Sequence, residues 1–592
     1  MAYIQRNTPP PNKVYTFALN NFAGGLNNRS EILQPNQCSD VLNMTFADDT
    51  VMEKRRGSTI VDTLRLNGEL VFIDEYKPYN DTDVLLRATK TEFYVGNMKV
   101  ANINGQVTGV NFAGKYFFAD GEKFYVWGKF PQTSTTYEEV IGTPDANYLL
   151  MEVVNPPQGF TPLGTAHTRG KVKYDYTNRK VWYEPCQNEI EDPYKKSNVL
   201  PQNPRYIVVH NGRLFVSGSK KDNDNVFISD LNNPYYFPVS LPMQLPPNSD
   251  KVVGLHVYDD SVVVGRHNDI YVITGMTNRT DMGVPVFRLK KVNTHTGFAN
   301  HYAVNVAHNY LFFMGSDGNA YALASVQGNE RALASSILSK TIDFFRSPVN
   351  LTKQDIYEAS SIFFDDKWYV TMKDKIMIYS YRHQSWTMYN NLHARSFYKF
   401  KNILFWGNKD GQLCMPSEDY LDQGEPYESH WSSKTFDMDE PSYYKQFKDF
   451  FIIAHTYDNV KSDIGVTFEI DYMVVKENFV IKNQKSIWGK SRFGDRFINN
   501  NVNASLPFSI GRRGRTIRFT FRNGFEIGTP VSTVDELDVY LGKKEGLLVK
   551  VTSTNQYFSF TNGAWVEQAM ENLNQAMRIY SVSGDYELRG KR

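Results

Sequence analysis

The residues of this sequence best suited to chemistry are eleven histidines, three cysteines and several adjacent carboxylates. A nucleophile needs a base and the base needs an orienting partner, yet the chain carries no GxSxG elbow, Walker loop, HExxH pair or dinucleotide-binding glycine motif. His295 and His301 stand six residues apart in THTGFANH, a spacing without clear metal geometry, and read as structural polar residues. Cys38, Cys186 and Cys414 have no histidine beside them and form neither a disulfide framework nor a metal motif, so they read as reduced and buried or half-buried. Asp74 with Glu75, Asp365 with Asp366, and Asp535 with Glu536 supply carboxylates of the kind a glycosidase requires, although such pairs are abundant in any long β-protein. Asp222, Asn223, Asp224 and Asn225 imitate a cation loop but lack the alternating ligands and terminal Glu of an EF-hand, and read as a polar turn. Nothing here supports an enzyme, a cofactor or a metal site.

Two basic clusters remain. Lys54, Arg55, Arg56 and Gly57 form one turn, and Gly511, Arg512, Arg513, Gly514 and Arg515 stand just before an apolar strand that also carries Arg518. Each is either a solvated turn that guards a sheet edge or a contact for an anionic partner. Lys and Arg total 65 against 64 Asp and Glu, so no global charge draws the chain to nucleic acid or acidic membrane. No apolar run approaches the roughly 20 residues of a membrane helix. The N-terminal MAYIQRNTPPPNKVYTF lacks the basic and apolar halves of a secretory signal.

The elements that would position these residues are short strands. GRLFVSGSKKDNDNVFISD from Gly212, DDSVVVGRHNDIYVITG from Asp259, HNYLFFMGSDGNAYAL from His308, DDKWYVTMKDKIMIYS from Asp365 and KNILFWGNKDGQLCM from Lys401 are each two apolar strands around an Asn, Asp or Gly turn. They recur about every 50 residues, the mark of propeller blades, and aromatic residues at 14% of the chain suit pleated faces. A large sandwich of similar hairpins is the alternative. The expected fold is therefore mainly β: an irregular β-propeller-like core with an inserted subdomain and a C-terminal antiparallel β-sandwich.

In order, residues 1–68 read as an N-terminal arm and assembly segment, with Pro9, Pro10 and Pro11 extended and a short helix at 34–43. Residues 69–130 supply the first propeller hairpins, 131–204 an inserted proline-rich subdomain, and 205–440 the main propeller region, with a helix expected at Ala322 to Lys340. Residues 441–541 read as the sandwich, including a strand from Val534 to Leu541. A C-terminal extension, 542–592, holds a helix from Glu567 to Arg578 and a polar arm ending in Arg589, Lys591 and Arg592.

The segment Phe22-Ala23-Gly24-Gly25-Leu26-Asn27, followed by Leu42-Asn43 and Glu53-Lys54-Arg55-Arg56-Gly57, resembles the opening of the tail tubular or nozzle (tail stabilisation) proteins of short-tailed bacteriophages. Gly511 to Arg515 leading into Thr516-Ile517-Arg518-Phe519-Thr520-Phe521, with a further strand ending Leu537-Asp538-Val539-Tyr540, is a second likeness. The resemblance implies a virion protein of the tail, made in the host cytoplasm, that forms a homo-hexameric ring below the portal and its adaptor. Such a ring retains packaged DNA and is the conduit for its ejection, touching the exiting double-stranded DNA only transiently. The implied partners are other copies of itself, portal-adaptor proteins, and tail fibres, a spike or a needle, with no stable membrane insertion. It implies no enzymatic residue and no cofactor, and Arg55, Arg56, Arg512, Arg513 and Arg515 become candidates for inter-subunit or adaptor contacts. A carbohydrate-binding or hydrolysing β-propeller is the competing expectation, and a cellular propeller used only for protein interaction is a third.

Overall fold

In a computed structural model the described residues are 13–29, 33–47, 50–143, 147–191, 200–219, 222–238, 243–247, 250–276, 286–326, 329–456, 462–471, 473–481, 502–523, 525–544 and 546–589. The hairpin series closes into a ring of seven antiparallel blades. Residues 72–102, 108–153, 206–244, 252–291, 304–337 and 360–389 each contribute four strands in sequence order to one blade. The seventh takes three strands from 394–416 and its outer strand from Ser58–Ile60, which pairs with Cys414, Met415 and Pro416. Between each blade and the next lies an apolar cluster, and Leu66, Leu70 and Ile73 against Leu413 seal the last blade to the first. Seven blades with seven cores between them make a closed propeller, each sheet hiding its faces on its neighbours.

Local chemistry makes the blades. The strands alternate or run continuously apolar, and the hairpins at His308–Asn309, Asp365–Asp366 and Lys401–Asn402 hold both central residues at φ between 43 and 63°. That geometry matches the twist of paired strands, and Asn and Asp tolerate it better than other non-glycine residues. The second blade continues outward. Its fourth strand, Leu149–Val153, pairs in parallel with Lys180–Glu184, followed by Lys171–Asp175 and Glu138–Ile141, so the proline-rich stretch is an extension of a blade. Glu189 pins it from inside, its buried carboxylate accepting from the backbone NH of Gly170 at 2.8 Å and of Cys186 at 3.0 Å and from the Tyr183 hydroxyl.

The sandwich draws on three distant stretches. One sheet contains Met44–Ala47, Val51–Lys54, Arg578–Arg589, Tyr444–Thr456 and Val502–Ser509, with Val14–Leu19 also on Arg578–Arg589. The other runs Gly25–Leu26, Gln37–Leu42, Ser429–Ser433, Ile517–Asn523, Ser462–Ile470 and Met473–Ile481. Alternation is strict in Ser462–Ile470 and Ile517–Asn523, whose inward residues pack with Phe450 and Phe508. The same core continues into Trp368 and Trp386 of the sixth blade, so propeller and sandwich share one interior. A small four-stranded sheet, residues 526–568, sits on Leu421 through Leu548, Tyr557 and Leu573.

Several expected helices are strands. Residues 37–42 and most of 322–340 are paired in sheets, the second as the outer hairpin of the fifth blade, where neighbouring strands overrule alanine's helical preference. The helix expected over 567–578 shrinks to Met570–Leu573, and the strand expected over 534–541 is a short 3-10 turn, Asp535–Leu537. The polar C-terminal stretch is no arm: Arg578–Arg589 is the central strand of a sandwich sheet, and Val14 to Lys54 belongs to that sandwich too. Pro9, Pro10, Pro11, Lys591 and Arg592 lie outside the described residues. Among the described residues no helix is long and apolar enough to cross a membrane.

Candidate functional site

The residues that carry the family likeness converge on the seam between propeller and sandwich. Phe22 is fully buried, its ring edge-on to Trp431 at 5.1 Å. Gly25, at φ 67°, lies so close to the sixth blade that a Cβ would meet the Trp386 carbonyl oxygen at 2.7 Å, and one on Gly57 would stand 2.0 Å from that of Leu421. Only a residue without a side chain fits either place. Asn43, buried at φ 54°, donates to the Glu428 carbonyl at 2.7 Å and accepts from Arg55 Nε at 2.9 Å and Asn390 N at 3.0 Å.

Arg55 is therefore not presented to another subunit. Its side chain is 4% exposed, grips both oxygens of Asp422 at 2.8 and 2.5 Å, donates to the carbonyls of Asn390 and Arg56, and lies 3.9 Å from the Tyr427 ring centre. All five donors of the guanidinium fork are used, which a lysine could not reproduce. Burial works against its charge, but Asp422 outweighs burial and holds the proton more firmly than usual. Lys54 beside it is just as enclosed and has no carboxylate partner among the described residues, its Nζ 4.3 Å from Tyr427. Burial, then repulsion from Arg55, pulls its pKa down to about 7.

Arg56 is exposed, stacks on Tyr420 at 4.7 Å and bonds the Glu418 carbonyl. Arg512, Arg513 and Arg515 form an exposed basic tip at one end of the sandwich. Arg513 and Arg515 flank Tyr444 at 5.1 and 4.8 Å, while the backbone NH groups of Arg515 and Thr516 are held by Asp471. Buried Lys445 donates to the Arg515 carbonyl at 2.9 Å and fixes the turn from beneath. The tip is thus a rigid cationic surface, whereas Arg55 is interior.

A second ionic joint couples strand Gln37–Leu42 to Ser429–Ser433. His430 lies between Asp40 at 3.1 Å and Glu428 at 3.2 Å, with Arg522 also on Glu428. Burial lowers its pKa, but hydrogen bonds and charge from the two carboxylates prevail and bring it to about 9. A folded pKa above the unfolded value of about 6.5 means stabilisation complete below that pH and lost as pH rises through 9. His430→Gln should cost up to about 3 kcal/mol at pH 6 and nothing above pH 9. Denaturation midpoints of both proteins across that range check it, and a pH-independent difference would exclude the linkage.

The other candidate residues are not assembled into one site. The three cysteines are buried and free. Asp74 accepts from Tyr116, Glu75 pairs with Lys77 at 3.2 Å, Asp365 and Asp366 make a hairpin turn, and Asp535 and Glu536 lie in the 3-10 turn. Asp224 pairs with Arg266 at 2.5 Å, confirming the polar turn. Among the described residues no three His, Cys, Asp or Glu are grouped to hold a metal. His301 instead stacks on His256 at 4.4 Å, where burial keeps both neutral, His256 at about 4. Next to it Tyr302, leading into the fifth blade, donates to the carbonyl of Val107, just ahead of the second, at 3.1 Å, so this side chain reaches across the ring. Sequence gave no sign of Asp422, Tyr427 or Asn390 as partners of Arg55, because they are more than 300 residues away.

No family model matches this chain, and no curated protein matches it. Among solved structures it is similar to the computationally designed Ika8 protein, at 10% identity over 61% of this chain and 99% of that one, TM-score 0.31. It is also similar to the Pan2 WD40 domain of Neurospora crassa (7%, 62% and 97%, TM-score 0.29) and to the exo-beta-1,3-galactanase of Phanerochaete chrysosporium (7%, 81% and 96%, TM-score 0.24). Superpositions this loose carry no functional argument; the propeller stands on its own seven interblade cores.

Proposed function

We propose that the chain is a structural subunit of a bacteriophage tail hub or nozzle, assembling as a homo-hexameric ring below the portal and adaptor, retaining packaged DNA and forming the conduit for its ejection. The observation that carries this reading is where the family-like residues lie. Phe22, Gly25, Asn43, Arg55 and Gly57 all serve to weld propeller to sandwich, the task of a wall that must bear load as one piece. Because Tyr302 reaches across the ring, the conduit of such an assembly is the lumen between subunits, with the propellers as its wall. A formal charge of +1 suits passage, since each phosphate contact tightens the hold on DNA.

In this reading Arg512, Arg513 and Arg515, together with Arg56, offer the contacts to neighbouring subunits or adaptor, and fibres, spike or needle attach elsewhere on the ring. Mass measurement with negative-stain imaging tests it, on the purified chain alone and with tail partners. Six-fold rings with an open centre are expected. A chain that stays monomeric under both conditions would overturn the proposal. Changing Arg512, Arg513 and Arg515 to serine should weaken docking at least tenfold without unfolding the sandwich, because all three side chains are exposed.

A further inference from the structure

An open cleft of about 390 Å³ lies where the extension of the second blade meets the third, and the assembly reading makes no use of it. Lys115, Tyr137, Glu138, Arg169, Asn232 and Asn233 line it, over a floor that includes Tyr174 and Tyr235. The floor is rigid: Tyr174 and Tyr235 are buried edge-to-face at 6.4 Å, and Phe130 and Phe117 brace them at 5.4 and 5.7 Å. Tyr137, by contrast, is 49% exposed in the lining.

The charges in the cleft do not cancel. Lys115 is half-buried with its ammonium 5.5 Å from the Phe130 ring centre, and no carboxylate stands within ion-pair distance of it among the described residues. Arg169 is exposed and likewise has no ion pair among them. Glu138, the one carboxylate in the lining, accepts from the Tyr174 hydroxyl at 3.3 Å, and neighbouring Glu139 is taken by Lys171 and Lys173. Two cations therefore face one anion; the enclosed Lys115 ammonium feels only Glu138, and a ligand that supplies a second negative group would pair it. Asn232 and Asn233 add amides suited to vicinal hydroxyls, although the Asn233 oxygen already accepts from the Tyr235 backbone NH at 3.2 Å.

We propose that this cleft binds a single carboxylated sugar residue of a glycan. The apolar face of the sugar ring rests on Tyr137, its hydroxyls meet Asn232 and Asn233, and its carboxylate is held by Lys115 and Arg169. One net positive charge among the lining residues matches a monoanionic ring. An open, shallow site of this size binds one residue weakly, so many copies on a ring would be needed for firm attachment.

Saturation-transfer NMR on the full chain tests the proposal, with methyl glucuronide and sialyllactose as acidic probes, methyl glucoside and lactose as neutral ones, and inorganic phosphate as competitor. Acidic sugars should bind at least tenfold more tightly than their neutral counterparts. Lys115→Met keeps the apolar stem and should abolish that preference; Arg169→Ser, at an exposed position, should weaken it; and Tyr137→Ala should lower binding of every sugar. Equal binding of acidic and neutral probes, no binding of either, phosphate competing as well as the acidic sugars, or variants indistinguishable from the parent would each overturn it. Ring formation is read separately and is unaffected by these substitutions, so loss of sugar binding and loss of the assembly reading are distinct results.

Discussion

Arg55→Met is expected to lower the unfolding free energy by about 3–5 kcal/mol, while Lys54→Met, one residue away, is expected to leave it unchanged or raise it. Both side chains are buried cations beside Tyr427, and they differ in what they leave behind. Removing Arg55 strands the Asp422 carboxylate inside the seam, where Ser58 Oγ at 3.1 Å still donates to it, and takes two hydrogen bonds from Asn390 and Asn43. Removing Lys54 strands no carboxylate, because none among the described residues pairs with it. The pH dependence separates them further. A lysine held near 7 when folded and near 10.4 when unfolded burdens the fold fully below pH 7, and the burden fades as pH climbs toward 10.4. The benefit of Lys54→Met should accordingly be largest at pH 6 and vanish by pH 10. Denaturation followed by tryptophan emission, with Trp386 and Trp431 at the seam, reads both variants. An Arg55→Met protein within 1 kcal/mol of the parent would show that the seam does not depend on this pair.

Ending the chain at Met577 should have an even larger effect. Arg578–Arg589 is bonded on one side to Tyr444–Thr456 and on the other to Val14–Leu19 and Val51–Lys54, so its loss splits a sheet through the middle. Ile579, Val582 and Tyr586 leave the shared core with it, and each such deletion costs about 2–5 kcal/mol before the orphaned backbone groups are counted. The expected product is insoluble, or is cleaved by protease within Tyr444–Thr456 or Val502–Ser509, the strands next in that sheet. Val582→Asp, which keeps the chain length and buries a carboxylate in the same place, should reproduce the damage. A truncated chain as protease-resistant as the parent would remove the strand from its central position.

The propeller was legible because its hairpins are local: two apolar strands and an Asn or Asp turn fit within about twenty residues, and each turn announces its own φ. The sandwich was legible only in its middle. Arg578–Arg589 alternates Val582, Gly584 and Tyr586 with Ser583 and Asp585, and that polar outer face disguised a buried strand as a tail. The seam was the least legible part. An arginine in a KRRG turn reads as solvated until Asp422, from the other end of the propeller, is placed against both its terminal nitrogens. The same holds for the cleft, since Lys115 and Arg169 look ordinary until the blade extension brings them to one wall.

The outer strand of the seventh blade also sets a clock on synthesis. Ile60 leaves the ribosome long before Cys414, its partner, and at about 5–20 residues per second the wait is roughly 20–70 s. Six blades can form as they emerge, but the ring stays open until the seventh is made, and Val14–Leu19 must wait longer still for Ser583 and Tyr586. During that interval an unpaired strand edge and the apolar faces meant for the sandwich are exposed on every nascent chain. The architecture that makes the finished chain one piece thus leaves the unfinished one with open edges, and mispairing between nascent chains would begin there.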